Sequence, residues 1–210
     1  MNSDTENGQS RQLRRHNLNP DPIKQFASWF NDAWAAGIKL AHAMTLATAN
    51  RAGVPSARMV LLKEFDEQGF VFYTNYESQK GQELAENPVA ALLFHWKALE
   101  RQVRITGRVT KVSREQSAQY FHSRPRGSQL SASVSAQSRP VKNRRMLEDD
   151  VERLQARYPE GNLPLPDVWG GYSVSPEVIE FWQGQEDRLH DRFRYTCQPD
   201  GLWLVERLAP

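Results

Sequence analysis

The sequence predicts a mainly β protein in which an antiparallel, Greek-key-like barrel carries peripheral helices. Short segments rich in β-branched and aromatic residues are joined by hairpin turns. Helical patterns collect between blocks of strands instead of following each strand, which argues against a doubly wound parallel sheet. With 210 residues, of which 39% are hydrophobic, the chain is long enough for one sizeable core.

The N-terminal part predicts an arm followed by a helix. Residues 1–19 are polar and predict a flexible arm, so that a single domain covers residues 20–210. Asp21-Pro22 supplies a helix N-cap with proline at the first helical position, and Gly37 ends the helix. The apolar residues of this helix recur at helical spacing and predict core packing: Ile23, Phe26, Phe30, Ala33 and Trp34.

A block of strands follows, interrupted by one short helix. Met44–Ala49 and Pro55–Glu64 predict a hairpin around a turn at residues 50–53, and a second turn at 66–69 leads into the aromatic strand Phe70–Thr74. Asn87-Pro88 ends a helix predicted from Ser78 to Glu86. The block closes with two further predicted strands, Val89–Trp96 and Arg101–Lys111.

The remaining chain predicts helices and then three closing strands. Ser113 to Gln116 match a capping box that opens a helix through Tyr120 and Phe121. A Ser-rich stretch follows Arg124-Pro125, and a charged helix is predicted from Val141 to Tyr158. A loop over residues 161–166 precedes the predicted strands Trp169–Ser175, Val178–Gln183 and His190–Leu208, the last of which is broken at residues 199–201.

Composition and charge exclude several classes of protein. The net charge of +2 is too small for a dedicated nucleic-acid binder, whereas clustered arginines favour discrete anion sites. The single Cys197 predicts a reducing compartment. Without an 18-residue apolar run or signal-peptide character at the start, the chain is expected to be cytoplasmic and not bound to a membrane. No glycine-rich nucleotide loop occurs, and no Cys/His spacing predicts a metal site.

Arg188-Leu189-His190-Asp191-Arg192 is the most informative segment for function. A strand through it would point Arg188, His190 and Arg192 to one side, close behind Trp182. That arrangement would hold an anionic, planar ligand against an aromatic wall. The alternative is a solvated, charged strand in which Asp191 pairs with a neighbouring arginine.

Other cations predict further anion sites. Arg58 and Lys63 end one strand and, five residues apart, are expected on opposite faces, where each could serve a different anion; charged ends of a buried strand are the alternative. Tyr120, Arg124 and Ser128 recur every four residues and suit a phosphate, or form an ordinary exposed face. The remaining candidate donors are Ser78 to Lys80 and Gln137-Ser138. Together with Tyr73 and Trp182, these groups predict a flat, phosphorylated cofactor.

Eight blocks of sequence resemble the pyridoxamine 5′-phosphate oxidase family. They occur in the family's order from about Asp21 to Pro210, roughly nine tenths of the chain, and any one of them alone would be weak evidence. The blocks are RMVLLK (58–63), FVFYTNYESQKG (70–81), LERQVRITG (99–107), YFHSRPRGSQ (120–129), Gln137-Ser138, WGGY (169–172), EFWQGQEDRLHDRF (180–193) and ERLAP (206–210).

The resemblance implies an FMN-binding split barrel that forms a homodimer with its FMN sites at the interface. The implied catalytic pair is Arg188 and His190. The implied substrate contacts are Lys63, Tyr120, Arg124, Ser128, Arg188, Leu189 and His190. The implied FMN contacts are Arg58, Met59, Val60, Leu61, Leu62, Lys63, Tyr73, Thr74, Lys80, Gln102, Gln137, Ser138, Trp182 and Arg192.

The implied activity is oxidation of pyridoxamine or pyridoxine 5′-phosphate to pyridoxal 5′-phosphate, as in vitamin B6 biosynthesis and salvage. Dioxygen would accept the electrons and leave as hydrogen peroxide, with ammonia released from the amine. Two alternatives share the fold: a flavin oxidase of the phenazine-biosynthesis type and a non-catalytic flavin-binding protein. The phosphate donors Tyr120, Arg124 and Ser128 argue against the first, and Arg188 with His190 against the second.

Three positions depart from the family pattern. Gln79 stands where an arginine is common, which removes a positive charge and predicts weaker binding of the FMN phosphate. Leu40-Ala41-His42 stands where an acidic residue and a proline are usual. Residues 5–8 lack the Arg-x-x-Tyr-like segment that folds over the substrate in many members.

Overall fold

Nine strands pair into one antiparallel sheet that curves into a split barrel. A computed structural model describes residues 12–210 of the chain. The strands are β1 (Ala43–Ala49), β2 (Pro55–Leu61), β3 (Glu64–Asp66), β4 (Gly69–Asn75), β5 (Val89–Trp96), β6 (Arg101–Lys111), β7 (Trp169–Gln183), β8 (Asp191–Cys197) and β9 (Trp203–Arg207).

The strand order is β2-β1-β5-β6-β7-β4-β3, with β8 on β7 and β9 on β8. Strand β7 organises this topology because its first half pairs with β4 and its second half with β8, while β6 runs along its length. A β-bulge in β7 places Glu177 as an extra residue opposite the Thr106–Gly107 step of β6, at the bend between the two halves of β7. We had predicted two strands over β7; the structure shows one, because the bulge absorbs the irregularity around Pro176.

Five α-helices surround the barrel: α1 (Pro22–Ala35), α2 (Gln79–Glu86), α3 (Arg114–Ser123), α4 (Arg126–Val134) and α5 (Arg144–Arg157). Two predicted N-caps are present, since Asp21 accepts a hydrogen bond from the backbone of Ile23 and Ser113 from that of Gln116. The Ser-rich stretch forms α4, which was not predicted from the sequence. This helix forms directly after Pro125, which ends α3 and lies at the N-cap of α4. Helix α5 begins at Arg144, after its Asn143 N-cap and three residues after the predicted start at Val141.

Aromatic side chains between α1 and the sheet form the centre of the main core. Phe26 is fully buried. Its ring centroid lies 4.9 Å from those of Phe65 and Phe70 and 5.0 Å from that of Phe94, each pair in an edge-to-face arrangement. Trp34, also predicted in this core, is 46% exposed at the end of the helix. A second, smaller core joins α3, α4 and α5 to the start of β7. None of the described helices is long and apolar enough to cross a membrane.

Residues 12–19 pack against the barrel. Leu13 is buried, and the Tyr195 hydroxyl donates to the backbone oxygen of Asn19 at 2.8 Å. A 3-10 helix covers Arg15–Asn17 between these contacts. Of the flexible arm predicted over residues 1–19, the part up to residue 11 lies outside the described residues, and the rest is held to the barrel.

Candidate active site

One large cavity of about 1040 Å³ opens between the barrel and the helices that follow it. Its volume is at the upper end of the range for cofactor and ligand sites. Strands β2 and β4, the start of α2, helices α3 and α4, and the loop after α4 all contribute to its wall. Thirteen predicted site residues line it: Arg58, Met59, Val60, Leu61, Lys63, Tyr73, Thr74, Lys80, Tyr120, Arg124, Ser128, Gln137 and Ser138.

Arg58 lies at one end of the cavity in a polar network centred on Glu83. The guanidinium lies 3.3 Å from the Glu83 carboxylate and also donates to Ser56 and Thr48. Gln79 donates to the same carboxylate at 2.9 Å. Burial alone would raise the pKa of Glu83, but hydrogen bonds from Ser56, Thr48 and Gln79 outweigh it and lower the pKa to about 2. Glu83 therefore stays ionised and fixes the orientation of Arg58.

Lys80 supplies a second cation at this end, from the first turn of α2. Its ammonium lies 3.0 Å from the Gln137 side-chain oxygen and 3.3 Å from the Thr74 hydroxyl, and the residue is only 8% exposed. Burial and the neighbouring Arg58 charge lower the pKa of Lys80 to about 8. Among the described residues no carboxylate forms an ion pair with it, so an anionic ligand would stabilise its charged form.

Three parallel aromatic rings form the opposite part of the wall. Tyr73 stacks on Tyr120 with ring centroids 4.0 Å apart and on Trp169 at 5.5 Å. A Cβ atom at Gly171 would come within 2.7 Å of the Tyr73 ring, so this strand position needs glycine for the ring to pack there. We had not assigned Trp169 to the site, although it opens the WGGY block.

Two cations lie over this aromatic stack. The Arg124 guanidinium lies 4.9 Å from the Trp169 ring centroid, and the Lys63 ammonium lies 5.7 Å from that of Tyr120. Burial lowers the pKa of Arg124, and its Nη1 atom is buried without a hydrogen-bond partner in the described part of the chain. A buried, unpaired donor of this kind is costly unless a ligand accepts from it.

The prediction that Arg58 and Lys63 lie on opposite faces is wrong, since both line this cavity. It assumed a regular strand through both residues, whereas β2 ends at Leu61. Beyond it, the backbone N–H of Leu62 donates to His42 and that of Lys63 to Val71 on β4, so the chain changes partner strand. Leu62, predicted to contact the cofactor, instead points into the core and is 4% exposed.

The other predicted residues do not line the cavity and form a second group. Gln102 on β6 is paired with Trp182 on β7, which is paired with Arg192 on β8, so the three side chains form a row on one face. Their neighbours Val103, Phe181 and Phe193 face the core, which places the row on the outer face of the sheet. Arg192 is held there by Glu180 at 2.8 Å.

Arg188, Leu189 and His190 lie in the loop next to this row. The strand predicted through residues 188–192 is wrong: β8 begins at Asp191, and Glu186–Arg188 form a 3-10 helix. Asp187 and Arg188 have φ angles of 54° and 59°, in the left-handed region, so the side chains do not alternate as in a strand. His190 nevertheless packs on Trp182 with ring centroids 4.6 Å apart, while Leu189 is 70% exposed.

The residues of the cavity fit a phosphorylated flavin. The Arg58 and Lys80 end suits a phosphate, and the apolar side chains of β2 beside it suit a flat ring system. Arg124 and Lys63, which lie over the aromatic stack, suit a second anion. No cluster of His, Cys, Asp or Glu within residues 12–210 could hold a metal ion.

Two family models match the chain. The model described as pyridoxamine 5′-phosphate oxidase matches residues 30–158, and the one described as the pyridoxine 5′-phosphate oxidase C-terminal dimerisation region matches residues 169–210. The first covers the strands and helices of the cavity. The second covers Trp182, Arg192 and the loop that carries His190.

Curated relatives match over nearly the whole chain. Pyridoxine/pyridoxamine 5′-phosphate oxidases from Rippkaea orientalis and Salinibacter ruber are 52% and 53% identical, covering 94% and 95% of this chain and 93% and 94% of theirs. The chloroplastic enzyme of Arabidopsis thaliana is 51% identical over 96% of this chain and 39% of its own length.

Two solved structures share the fold. PhzG from Burkholderia lata, in complex with tetrahydrophenazine-1-carboxylic acid, superposes with a TM-score of 0.89 at 29% identity, covering 95% of this chain and 98% of PhzG. An FMN-binding protein from Nostoc punctiforme has a TM-score of 0.74 at 17% identity, covering 92% of this chain and all of its own. With two family models and relatives above 50% identity over nine tenths of its length, the chain belongs to the pyridoxine/pyridoxamine 5′-phosphate oxidase family.

Proposed function

We propose that this protein oxidises pyridoxamine and pyridoxine 5′-phosphate to pyridoxal 5′-phosphate with FMN as cofactor and dioxygen as electron acceptor. The observation that carries the proposal is the pair of separate anion sites in one cavity. Arg58 and Lys80 lie at one end, and Lys63 and Arg124 lie over the aromatic stack. Two such sites match a phosphorylated cofactor and a phosphorylated substrate.

The flavin would supply the redox step by accepting a hydride from the substrate carbon C4′. The protein's own residues bind and orient the substrate. Lys63, Tyr120, Arg124 and Ser128 hold the substrate phosphate, and this fixes the distance of the reacting carbon from the flavin. Arg188 covers the substrate ring, and His190 donates a hydrogen bond to it. Together these contacts exclude water from the reacting face.

The C-terminal dimerisation region indicates a homodimer, and we propose that each FMN site lies at its interface. Within one chain, the row of Gln102, Trp182 and Arg192 and the loop with His190 lie outside the cavity wall. A second subunit would bring its row to the open side of the first subunit's cavity. Met59 and Leu189, which are 63% and 70% exposed, are apolar enough to be covered in such an interface.

Mixed dimers test the shared site. Arg124→Ala removes one half of the proposed site and His190→Ala the other, so a dimer of the two variants has one doubly altered site and one intact site. Random pairing should therefore restore about a quarter of wild-type activity, since half of the dimers are mixed and each has one intact site of two. Sites built within one chain would give no recovery beyond the two parent variants.

One observation supports the alternative of a phenazine-type flavin oxidase, namely the structural match to PhzG. The ligand of that structure is a carboxylic acid without a phosphate, whereas Arg124 and Ser128 here suit a phosphate. Anaerobic reduction of the bound flavin separates the functions. We expect pyridoxamine 5′-phosphate to bleach the yellow FMN-loaded protein; bound flavin that no B6 phosphate ester reduces would overturn the proposed function.

A further inference from the structure

Asp191 is a buried carboxylate that joins three distant segments of the chain. It is the first residue of β8 and is 8% exposed. Its Oδ2 atom accepts from the backbone N–H of Leu13 at 3.0 Å and from the Gln185 side-chain amide at 2.9 Å. Its Oδ1 atom accepts from Arg207 at 2.6 Å. Charge-assisted hydrogen bonds of this kind are among the strongest that a protein makes.

Gln185 connects this carboxylate to His190. The backbone N–H of Gln185 donates to Nδ1 of His190 at 3.1 Å. Since a backbone amide can only donate, Nδ1 must accept, and the neutral imidazole then carries its proton on Nε2. The same contact sets the position of the ring on Trp182. The place of Gln185 therefore determines both the tautomer and the orientation of His190.

The loop between Gln183 and Asp191 needs such an anchor. Residues 186–189 are exposed and bury no side chain in the core. Asp187 and Arg188 both adopt left-handed φ angles, which are unfavourable in residues other than glycine. Without core packing, hydrogen bonds at the ends of the loop must hold this strained conformation.

We propose that Asp191 is a positioning residue for the reaction: by holding Gln185, it keeps His190 in the Nε2–H tautomer and against Trp182. Arg207 and Leu13 complete the anchor, since Arg207 also donates to the backbone oxygen of Leu13 at 3.1 Å. The inference rests on the proposed function only in assigning His190 to the substrate. Asp191 itself does not line the cavity and would act through His190.

The test uses the FMN-loaded dimer of Asp191→Ala, with ¹⁵N-labelled histidine. In the wild type at pH 8, the ¹⁵N shifts should show His190 protonated at Nε2 alone, with the signal assigned by its loss in His190→Asn. In Asp191→Ala we expect a mixture of tautomers. Flavin reduction by pyridoxamine 5′-phosphate should be about 10- to 100-fold slower, as for a small displacement of a catalytic group, with the Kd for FMN within about twofold.

Glu206→Ala is the matched control, because Glu206 pairs with Arg194 at 2.8 Å across the same two strands but does not contact the loop. It should match the wild type in both readouts. Gln185→Ala keeps its backbone N–H but removes the side-chain amide that binds Asp191. It should therefore shift the tautomer and the rate in the same direction as Asp191→Ala, and it serves as the test if Asp191→Ala does not fold.

Wild-type tautomer and rate in Gln185→Ala, and in Asp191→Ala where it folds, would overturn the positioning role. If pyridoxamine 5′-phosphate does not reduce the flavin bound to the wild-type protein, that result would instead overturn the proposed function. The ¹⁵N comparison does not depend on turnover, so it would still decide whether Asp191 controls His190.

Discussion

Arg124→Ala should weaken substrate binding far more than cofactor binding. The guanidinium lies over Trp169, and its Nη1 atom is buried without a partner among the described residues, whereas Arg58 and Lys80 contact Glu83 and Gln137. A charge-assisted hydrogen bond to phosphate contributes about 1.5–3 kcal/mol. Loss of one or two such bonds, with Lys63 still present, predicts an increase in substrate Kd of about 100-fold.

The folded protein should tolerate the same change. The Arg124 side chain makes no hydrogen bond to another described residue, so the change removes only its contact with Trp169, which is worth about 0.5–2 kcal/mol. Removal of a buried, unpaired charge offsets part of that loss. The free energy of unfolding should therefore change by no more than about 1 kcal/mol, measured by urea denaturation.

Two titrations measure the effect. Substrate Kd comes from the dependence of the anaerobic flavin reduction rate on pyridoxamine 5′-phosphate concentration, and FMN Kd from quenching of flavin fluorescence. Arg126→Ala is the matched control, since the Arg126 side chain donates to the backbone oxygens of Gly161 and Tyr158 and does not line the cavity. Equal losses of substrate and FMN affinity in Arg124→Ala would refute the assignment of Arg124 to the substrate phosphate.

Three further predictions concern the other end of the cavity. Lys80 has a pKa lowered from 10.5 to about 8, so the FMN-free protein should gain up to about 3 kcal/mol of stability as the pH rises between these values, and Lys80→Met should lose this gain in thermal unfolding. The pKa of Glu83 is lowered from 4.5 to about 2, so its carboxylate stabilises the fold at pH values above the unfolded-state pKa. Glu83→Gln should therefore lower the free energy of unfolding by about 3 kcal/mol at pH 7. In urea denaturation this difference from the wild type should shrink as the pH falls from 4.5 through 2. Gln79→Arg should lower the FMN Kd about fivefold without changing the flavin reduction rate, and an unchanged Kd would show that position 79 does not contact the phosphate.

Much of the fold could be predicted because local signals and tertiary packing agree. The aromatic strand β4, the hairpin of β1 and β2, and the N-caps at Asp21 and Ser113 are each specified by nearby residues. Helix α4 was missed because serine and glycine are weak helix formers, and packing of Leu130 beneath the helix overrides that weak propensity. Strand β7 was divided because Pro176 indicates a break, whereas in the structure a bulge at Glu177 of β7 itself keeps the strand continuous.

Most residues that family resemblance assigns to the site line one cavity, whereas spacing alone misplaced one pair of them. Spacing alone predicted that Arg58 and Lys63 point apart, and the change of partner strand after Leu61 brings both to one cavity. Glu83 was missed because its partners Thr48 and Ser56 come from strands about 30 residues away, and no local pattern joins a helix carboxylate to them. Long-range pairing of this kind is a property of the folded sheet and not of any segment.

The segment 188–192 was assigned a function by family resemblance, and the local structure predicted for it from spacing is wrong. A strand would have placed Arg188, His190 and Arg192 on one face by alternation. In the structure, these three side chains are held in different ways. Arg192 is bound on the sheet by Glu180, His190 accepts a hydrogen bond from Gln185, and Arg188 lies on a left-handed turn. Asp191, expected to pair with an arginine, does pair with Arg207, and it also anchors Gln185. A single buried carboxylate at the start of β8 therefore connects this strand to the loop that carries His190. For that reason we expect substitutions at Asp191 to lower the rate of flavin reduction much more than they change the Kd for FMN.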